Sequence, residues 1–315
     1  MYKIFYNLFL LLLINSLAKA QLVFPNVYVQ YDSVWVYKNL QLVPIKFVNN
    51  AVVENRKIFP QNIITLQQAM QQKQVSIKEI NFEKGADVGV LVIKNKTNKN
   101  ILLNAGEIIT GGKQDRVIAE TKIIKPQSGE QYISVFCIEK GRWDDKPKPF
   151  AYKGSVDIGL RKKIDINKYQ QQIWKYIEQQ FESRKEKSET YPYIQLKQKI
   201  EKTDTAYMNY FTRKFQQSDS SYAGFIALAN NKIIACEIFA LPIYTIMFYK
   251  EMFSSFIAAV TTEDSIAKTI INIQLVKTFA NNLLGSEILQ EQYLQTHGKA
   301  DKMNGKTVHL IAYGN

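Results

Sequence analysis

The spacing of hydrophobic and polar positions changes near residue 160 of this 315-residue chain. Before that point, β-branched and aromatic runs bounded by turn residues predict strands. These predicted strands cover residues 34–37, 40–47, 88–93, 101–103, 117–124 and 131–138. The run 88–93 is almost continuously apolar, which is typical of a strand buried on both faces. Thr65 is a suitable N-cap for a short helix over residues 66–72.

From residue 161 onward the apolar residues recur at helical spacing. Two helical faces are formed by Ile166, Ile173, Ile177 and Phe181, and by Leu196, Ile200, Tyr207, Phe211 and Phe215. Residues 222–229 and 232–240 predict a hairpin around Asn230 and Asn231, whose side chains tolerate positive φ. Helices over 243–260 and 265–284 follow, the second with Ile266, Ile270, Ile273 and Ala280 on one face, and then a last strand over 307–313.

This order of elements predicts an α+β fold. A mostly antiparallel, β-rich half (residues 21–160) packs with a helical half (161–315) that contributes the hairpin and the final strand. Two strands alone are marginally stable, so the hairpin needs a larger sheet. Joining the N-terminal sheet gives one α+β domain over residues 21–315, and a separate small lobe is the alternative.

The first twenty residues predict an export signal. Lys3 precedes an apolar core at 8–14, and Ala18-Lys19-Ala20 matches a signal-peptidase site. An uncleaved membrane anchor is the competing interpretation. The apolar stretch 238–260 contains Pro242, Lys250 and Glu251, which favours a buried helix over a membrane span. We therefore expect a soluble periplasmic or secreted protein, with no membrane span after signal cleavage.

The amino-acid composition limits which metal sites, disulfide scaffolds and charged partners are possible. Two cysteines exclude a disulfide-dense scaffold and a four-cysteine zinc site, and two histidines leave little for a histidine-rich metal centre. No metal ligands are assigned, a divalent cation on Glu107, Glu139 and Glu237 is an open alternative, and the sequence does not identify a cofactor. The chain holds 41 basic and 28 acidic residues, a net charge of +13. Residues 161–214 hold thirteen basic and seven acidic residues interleaved with aromatics, as a nucleic-acid groove would. The helical spacing of the apolar residues and the export signal instead favour two amphipathic helices with lysine on the solvent-exposed face.

Five glycines fall between residues 106 and 141, and four of them lie in two motifs that also hold two of the six arginines. The first reads GEIITGGKQDR over residues 106–116, and the second reads CIEKGRW over residues 137–143. Arginine in a chain that otherwise uses lysine suggests a site that needs the planar guanidinium fork.

These motifs resemble the ARG and rhodanese-phosphatase-superfamily-associated protein domain family. Supporting matches lie at 40–44, 64–69, 224–226, 237–239 and 308–310, so the resemblance covers roughly residues 35–313. The family's association with ADP-ribosylglycohydrolase and phosphatase-type domains implies nucleotide or ADP-ribose chemistry, without an established activity. Asp115 departs from the family pattern, in which asparagine is expected, and adds a negative charge beside Lys113 and Arg116.

The motifs have two interpretations. In the first, backbone N–H groups of a glycine loop and two arginines bind a phosphate or carboxylate. The residues of this candidate ligand site are Gly111, Gly112, Lys113, Gln114, Arg116, Arg142, Trp143, Glu237 and His309. It is not a P-loop, because the G-x-x-x-x-G-K-[ST] spacing is absent and a strand follows. In the second, the arginines pair with Glu107 and Glu139 in a structural network.

Glu107 and Glu139 are also candidate catalytic acid/base residues, provided that they meet an arginine in one cleft. Glu237 lies among apolar neighbours, so it is either exposed or paired, and strand alternation favours exposure. Cys137 and His309 lie in apolar runs typical of an inert thiol and a core histidine, although export also permits a Cys137–Cys236 disulfide.

The sequence thus favours an exported binder of a small anionic, nucleotide- or ADP-ribose-like ligand. A hydrolase that uses Glu107 and Glu139, or an envelope interaction protein without a small-molecule site, are the alternatives. Ligand identity and oligomeric state are not determined by the sequence.

Overall fold

A computed structural model describes residues 22–82, 85–143, 146–203, 205–230, 232–260 and 271–314. Its strands are β1 (Val27–Val29), β2 (Trp35–Tyr37), β3 (Leu40–Phe47), β4 (Ile63–Thr65), β5 (Val75–Phe82), β6 (Gly85–Asn95), β7 (Asn100–Leu103), β8 (Glu107–Gly112), β9 (Arg116–Ile118), β10 (Lys122–Ile124), β11 (Glu130–Cys137), β12 (Lys148–Ser155), β13 (Tyr222–Ala229), β14 (Lys232–Phe239), β15 (Gly298–Met303) and β16 (Lys306–Tyr313). Its helices are α1 (Asn49–Ile58), α2 (Leu66–Gln71), α3 (Ile158–Lys162) continued by a π-helical turn (Lys163–Asn167), α4 (Gln170–Ser183), α5 (Tyr193–Thr203), α6 (Thr205–Gln216), α7 (Pro242–Val260), α8 (Ile273–Leu284) and α9 (Glu287–His297).

The first sheet joins strands from both ends of the chain. Its order is β1-β3-β13-β14-β16-β15, with β2 added beside β3, and every pairing in it is antiparallel. The predicted hairpin therefore pairs with the N-terminal strand β3, with Ile226 of β13 opposite Val43 of β3 and Cys236 of β14. Helix α8 contributes to the apolar core on one face of this sheet, and α6 and α7 contribute to the core on the other.

The middle of the chain forms two further sheets within the described residues. A three-stranded sheet has the order β10-β7-β4, in which β4 runs parallel to β7. A six-stranded antiparallel sheet has the order β12-β8-β9-β11-β6-β5 and carries both glycine-arginine motifs. Antiparallel sheets mostly in the first half and helices in the second make this an α+β fold, as predicted.

Aromatic packing stabilises the α6–α7 face of the first sheet. Phe253 of α7 lies 5.2 Å from Phe225 of β13 between ring centroids, and Trp35 lies 5.0 Å from Phe225. Phe215 of α6 stacks on Tyr249 of α7 at 4.2 Å. The sequence predicted that Phe215 lies on the apolar face of a helix. In the structure, this face of α6 packs on the aromatic cluster.

Most strand and helix predictions are confirmed, including the capping box by which Thr65 begins α2. Residues 117–124, predicted as one strand, divide into β9 and β10 in different sheets. The run 88–93 is not buried on both faces, because Val88 is exposed while Leu91 and Ile93 are buried. Helix α1 begins at Asn49, shortly after the predicted strand over residues 40–47.

Strands β1, β4, β5, β8, β12 and β15 and helices α1 and α9 were not predicted. The signal segment 1–20 and the predicted helical residues 265–270 lie outside the described residues. In the described part of the chain, no helix has the length and apolar character needed to cross a membrane.

Gly224 of β13 lies opposite Ile238 of β14, with no room for a side chain between the two strands. A methyl group added at its Cα would overlap the carbonyl oxygen of Glu237. We expect Gly224→Ala to lower the free energy of unfolding by about 3 kcal/mol, because the two strands must separate. The measurement is denaturant unfolding, with Gly305→Ala as the control.

Gly305 has no neighbouring atom within 4 Å of the added Cβ but a positive φ of 75°. Its substitution should therefore cost only about 1 kcal/mol of backbone strain. Equal losses for the two variants would contradict the close approach of β13 and β14.

Candidate functional site

The two glycine-arginine motifs form adjacent loops at one end of the six-stranded sheet. Arg116 of β9 lies opposite Cys137 of β11, so the β8–β9 turn and the segment after β11 are side by side. Gly111 and Gly112 have φ values of +117° and +57°, and both pack directly on β12. A side chain at Gly111 would meet the carbonyl oxygen of Pro149. The glycines are therefore required by this packing.

Arg142 connects the two loops through three contacts. Its Nη2 lies 2.7 Å from Asp115 Oδ1 and its Nε lies 2.5 Å from Glu139 Oε2. Its Nη1 donates to the carbonyl oxygen of Gly112 at 3.3 Å. Thr190 Oγ1 donates to the other Glu139 oxygen at 3.1 Å. Arg142 is thus held in one orientation, with a quarter of its side chain (25%) still exposed.

The backbone N–H groups of the glycine loop already have anionic partners. Gly111 N donates to Asp115 Oδ1 at 2.9 Å, and Lys113 N donates to Glu79 Oε1 at 2.9 Å. Arg116 is buried and its Nη2 lies 3.2 Å from the same Glu79 oxygen. Burial raises the pKa of Asp115, against the hydrogen bond from Gly111 and the charge of Arg142, which lower it.

The predicted structural pairing is confirmed for Arg142 with Glu139, whereas Arg116 pairs with Glu79 instead of Glu107. Sequence reasoning missed Glu79, because it lies in a distant strand, β5, that had no motif. The protein's own carboxylates therefore occupy the positions at which the first interpretation placed a bound anion.

The exposed part of these loops consists of a lysine, part of an arginine and a tryptophan. Lys113 Nζ lies 4.8 Å from the ring centroid of Trp143, a cation–π contact. Trp143 is 48% exposed. Gln114 is buried and donates to the carbonyl oxygen of Glu139 at 3.0 Å. Lys113, Arg142 and Trp143 thus form a cationic, aromatic surface, which we call the Trp143 surface.

Glu107 lies in a different cluster from Glu139. It begins β8, about 17 Å from Gly112 at the extended-strand rise of ~3.3 Å per residue. Its Oε2 accepts from the backbone N of Asn104 at 2.7 Å, whereas Oε1 has no hydrogen-bond partner among the described residues. The structure does not bring Glu107 and Glu139 into one cleft.

Glu107 shares its buried position with a second carboxyl group. Tyr152 Oη donates to Glu251 Oε1 at 3.3 Å, close to Glu107. Burial raises the pKa of Glu107 well above its usual value, and the nearby Glu251 carboxylate raises it further. The pKa of Glu251 is itself raised by burial. Burial and the neighbouring Glu251 thus both favour the protonated form of Glu107.

Glu237 is buried, at 3% exposure, and the prediction that it is exposed is wrong. Strand β14 lies in the interior of the first sheet, which has an apolar core on both of its faces. Glu237 Oε1 lies 2.9 Å from Nε2 of the fully buried His309 on β16. Nδ1 of His309 lies 3.3 Å from Asp301 Oδ2 on β15.

His309 has acceptors at both ring nitrogens. Thr121 Oγ1 donates to Asn104 Oδ1 at 2.9 Å, so its oxygen is an acceptor towards His309 Nδ1, 3.2 Å away. Burial alone would lower the pKa of His309, but the hydrogen bonds to Asp301 and Glu237 raise it. This geometry matches a doubly protonated imidazolium.

Arg161 and Lys299 add two further basic side chains to this network. Arg161 Nε lies 2.8 Å from Asp165 Oδ2, which also accepts from Tyr313 Oη at 2.6 Å. Lys299 Nζ lies 2.8 Å from Asp301 Oδ1. Arg161, Lys299 and His309 thus share one cluster with the carboxyl groups of Asp165, Asp301 and Glu237. Nothing in the sequence pattern had identified Arg161 or Asp165 as part of such a cluster.

The two cysteines and the second histidine of the chain, His297, are the next side chains to place. Cys137 and Cys236 are buried free thiols in different sheets, and burial raises the pKa of each. His297 ends α9 and stacks on Tyr293 with 4.6 Å between ring centroids. Among the residues that the structure describes, no group of three or more His, Cys, Asp and Glu side chains could hold a metal ion.

Replacing Glu107 by glutamine should stabilise the protein increasingly as the pH rises. The folded pKa of Glu107 is raised above its usual 4.5, so its stabilising effect is full below pH 4.5 and lost as pH rises towards the folded pKa. The loss approaches about 1.4 kcal/mol per pH unit. Glu107→Gln keeps the acceptor for Asn104 and does not ionise.

The measurement is urea unfolding of wild type and Glu107→Gln between pH 4.5 and 8. The stability difference should grow with pH, and the control Glu291→Gln, at an exposed side chain, should show no such growth. A constant difference across this range would mean that Glu107 is not a buried acid.

No curated protein and no solved structure matches this chain. The family model for the ARG and Rhodanese-Phosphatase-superfamily-associated Protein domain matches residues 28–313. This match spans most of the chain and includes both glycine-arginine motifs and the strands that form the buried network. The chain belongs to the ARG and Rhodanese-Phosphatase-superfamily-associated Protein domain family.

Proposed function

We propose that this is an exported protein that binds a small anionic ligand with a planar ring, nucleotide- or ADP-ribose-like, on the Trp143 surface. The observation that carries the proposal is the cation–π pair of Lys113 with a half-exposed Trp143. Indole is a suitable stacking partner for a base, and lysine and arginine are suitable partners for a phosphate.

The rigidity of Arg142 supports the proposal. Its contacts to Asp115, Glu139 and Gly112 fix the guanidinium before any ligand arrives, which lowers the entropic cost of binding. Arg116 and Gln114 are buried, so their role in this proposal is to hold the loops in place.

The occupied backbone N–H groups define where the ligand's anion would bind. Asp115 and Glu79 already accept from Gly111 and Lys113. The anion would therefore be bound by the side chains of Lys113 and Arg142 instead of the glycine loop. The carboxylate of Asp115 beside Arg142 weakens the positive field there, which predicts modest affinity.

Two alternatives receive less support. A hydrolase that uses Glu107 and Glu139 together would need them in one cleft, and they lie in separate clusters. An envelope protein without a small-molecule site is consistent with the internal ion pairs, but gives no role to the exposed Trp143. Glu237 and His309 are buried and paired with each other, and we assign both to the buried network.

Binding of ADP-ribose should depend on Trp143 and Lys113. We expect Trp143→Ala to weaken it by about 1–3 kcal/mol through lost stacking. We expect Lys113→Gln to weaken it by about 1 kcal/mol or more through the lost charge. The measurement is isothermal titration calorimetry, supported by thermal unfolding.

Matched controls are Tyr132→Ala, which removes another exposed aromatic ring, and Lys140→Gln, which removes an exposed lysine paired with Glu178. If the controls weaken binding as much as the site variants, or if neither ADP-ribose nor ADP binds the wild type, the proposal fails.

Asp115→Asn should strengthen anion binding. Asparagine keeps an acceptor for Gly111 N while removing the negative charge 2.7 Å from Arg142. We expect affinity for ADP-ribose to rise about threefold to tenfold, with a stronger dependence on salt. The same calorimetric titration at two salt concentrations measures both effects. Unchanged or weaker affinity in a folded Asp115→Asn protein would place the anion away from Arg142.

A further inference from the structure

A second concave surface lies where α1, β10 and the β15–β16 turn meet. It is a cavity of about 670 Å³, within the range of small-molecule sites. Its floor is apolar and includes the half-buried side chains of Ile58, Ile123 and Met303. None of these residues belongs to the Trp143 surface or to the glycine-arginine motifs. We call this cavity the α1–β10 cleft.

The rim of the α1–β10 cleft is cationic. Arg56, Lys57 and Lys125 line it, and the described residues that line it include no aspartate or glutamate. Lys57 has a partner, Glu54 Oε1 at 2.6 Å, on the exposed surface of α1. Arg56 and Lys125 have no carboxylate within salt-bridge distance among the described residues. Arg56 and Lys125 thus lie beside the apolar floor without a carboxylate partner among the described residues.

The walls of the cleft are held by hydrogen bonds from the core. Tyr244 Oη donates to the carbonyl oxygen of Pro60 at 2.6 Å, which fixes the segment after α1. Asn55 Nδ2 donates to Ala240 O at 2.8 Å and ties α1 to the first sheet. Phe59 is buried beneath the cleft. A preformed wall lowers the cost of ligand binding because little has to be ordered.

We propose that the α1–β10 cleft binds one molecule of an amphiphilic anion, a hydrocarbon chain or ring that carries a carboxylate, sulfonate or phosphate. The apolar part would cover Ile58, Ile123 and Met303, and the anionic group would pair with Arg56 and Lys125. Charge complementarity selects an anion. The concave shape favours a single molecule over a flat bilayer surface.

The test uses laurate below its micelle concentration and its neutral counterpart 1-dodecanol, with binding measured by displacement of the fluorescent sulfonate 8-anilinonaphthalene-1-sulfonate. We expect laurate to bind at least ten times more tightly than dodecanol. The Arg56→Gln/Lys125→Gln double variant should weaken laurate roughly tenfold or more, by loss of charge-assisted hydrogen bonds, and leave dodecanol unchanged.

The matched control is Lys94→Gln/Lys175→Gln, which removes two cations from exposed positions elsewhere. Ile123→Thr, which keeps a β-branched side chain in β10, should weaken laurate and dodecanol alike. Trp143→Ala should leave laurate binding unchanged, which separates this proposal from the ADP-ribose site. Circular dichroism verifies that each variant is folded.

Several results would overturn the proposal. Equal affinity for laurate and dodecanol would remove the role of the cations, as would an unchanged laurate affinity in a folded Arg56→Gln/Lys125→Gln protein. Absence of laurate binding would overturn it too. Binding to phosphatidylglycerol vesicles without binding of free laurate would assign the cationic rim to a membrane surface instead.

Discussion

The burial of His309 between two carboxylates is the constraint on which the arrangement of the sheets depends. Glu237 and Asp301 lie on β14 and β15, on either side of β16, and Thr121 comes from the segment that leads into β10. Removing charges from water costs several kcal/mol per ion unless each finds a partner, so none of these groups can move alone. The network therefore joins the first sheet to the segment between β9 of the six-stranded sheet and β10 of the three-stranded sheet. It fixes the position of this segment against the first sheet.

The same principle explains why the glycine-arginine motifs do not form an open anion cradle. Arg116 is buried, and it can remain so only because Glu79 accompanies it. Arg142 and its partners Asp115 and Glu139 sit nearer the surface, where part of the guanidinium stays accessible. The internal ion pairs and a ligand site are thus compatible. The buried partners give the loops one conformation, and only the outermost groups are exposed to solvent.

Local sequence patterns predicted the elements but not the pairing of charges. The hairpin and α7 follow directly from periodicity and turn residues, because those depend on neighbours in sequence. Glu237 was misassigned because alternation identifies the face of a strand but not what covers that face. The partnership of Arg116 with Glu79 joins residues 37 positions apart, and no local pattern encodes it. The split of 117–124 into β9 and β10 likewise depends on two sheets meeting there.

The protonation state of His309 tests the buried network most directly. The chain has two histidines, so the ring nitrogens of His309 can be followed by nitrogen-15 NMR with His297 as an internal reference. We predict that both ring nitrogens of His309 carry protons at pH 7.5, a pH at which a histidine with the usual pKa of 6.5 is mostly neutral. A neutral His309 with one unprotonated ring nitrogen at pH 7.5 would contradict the network.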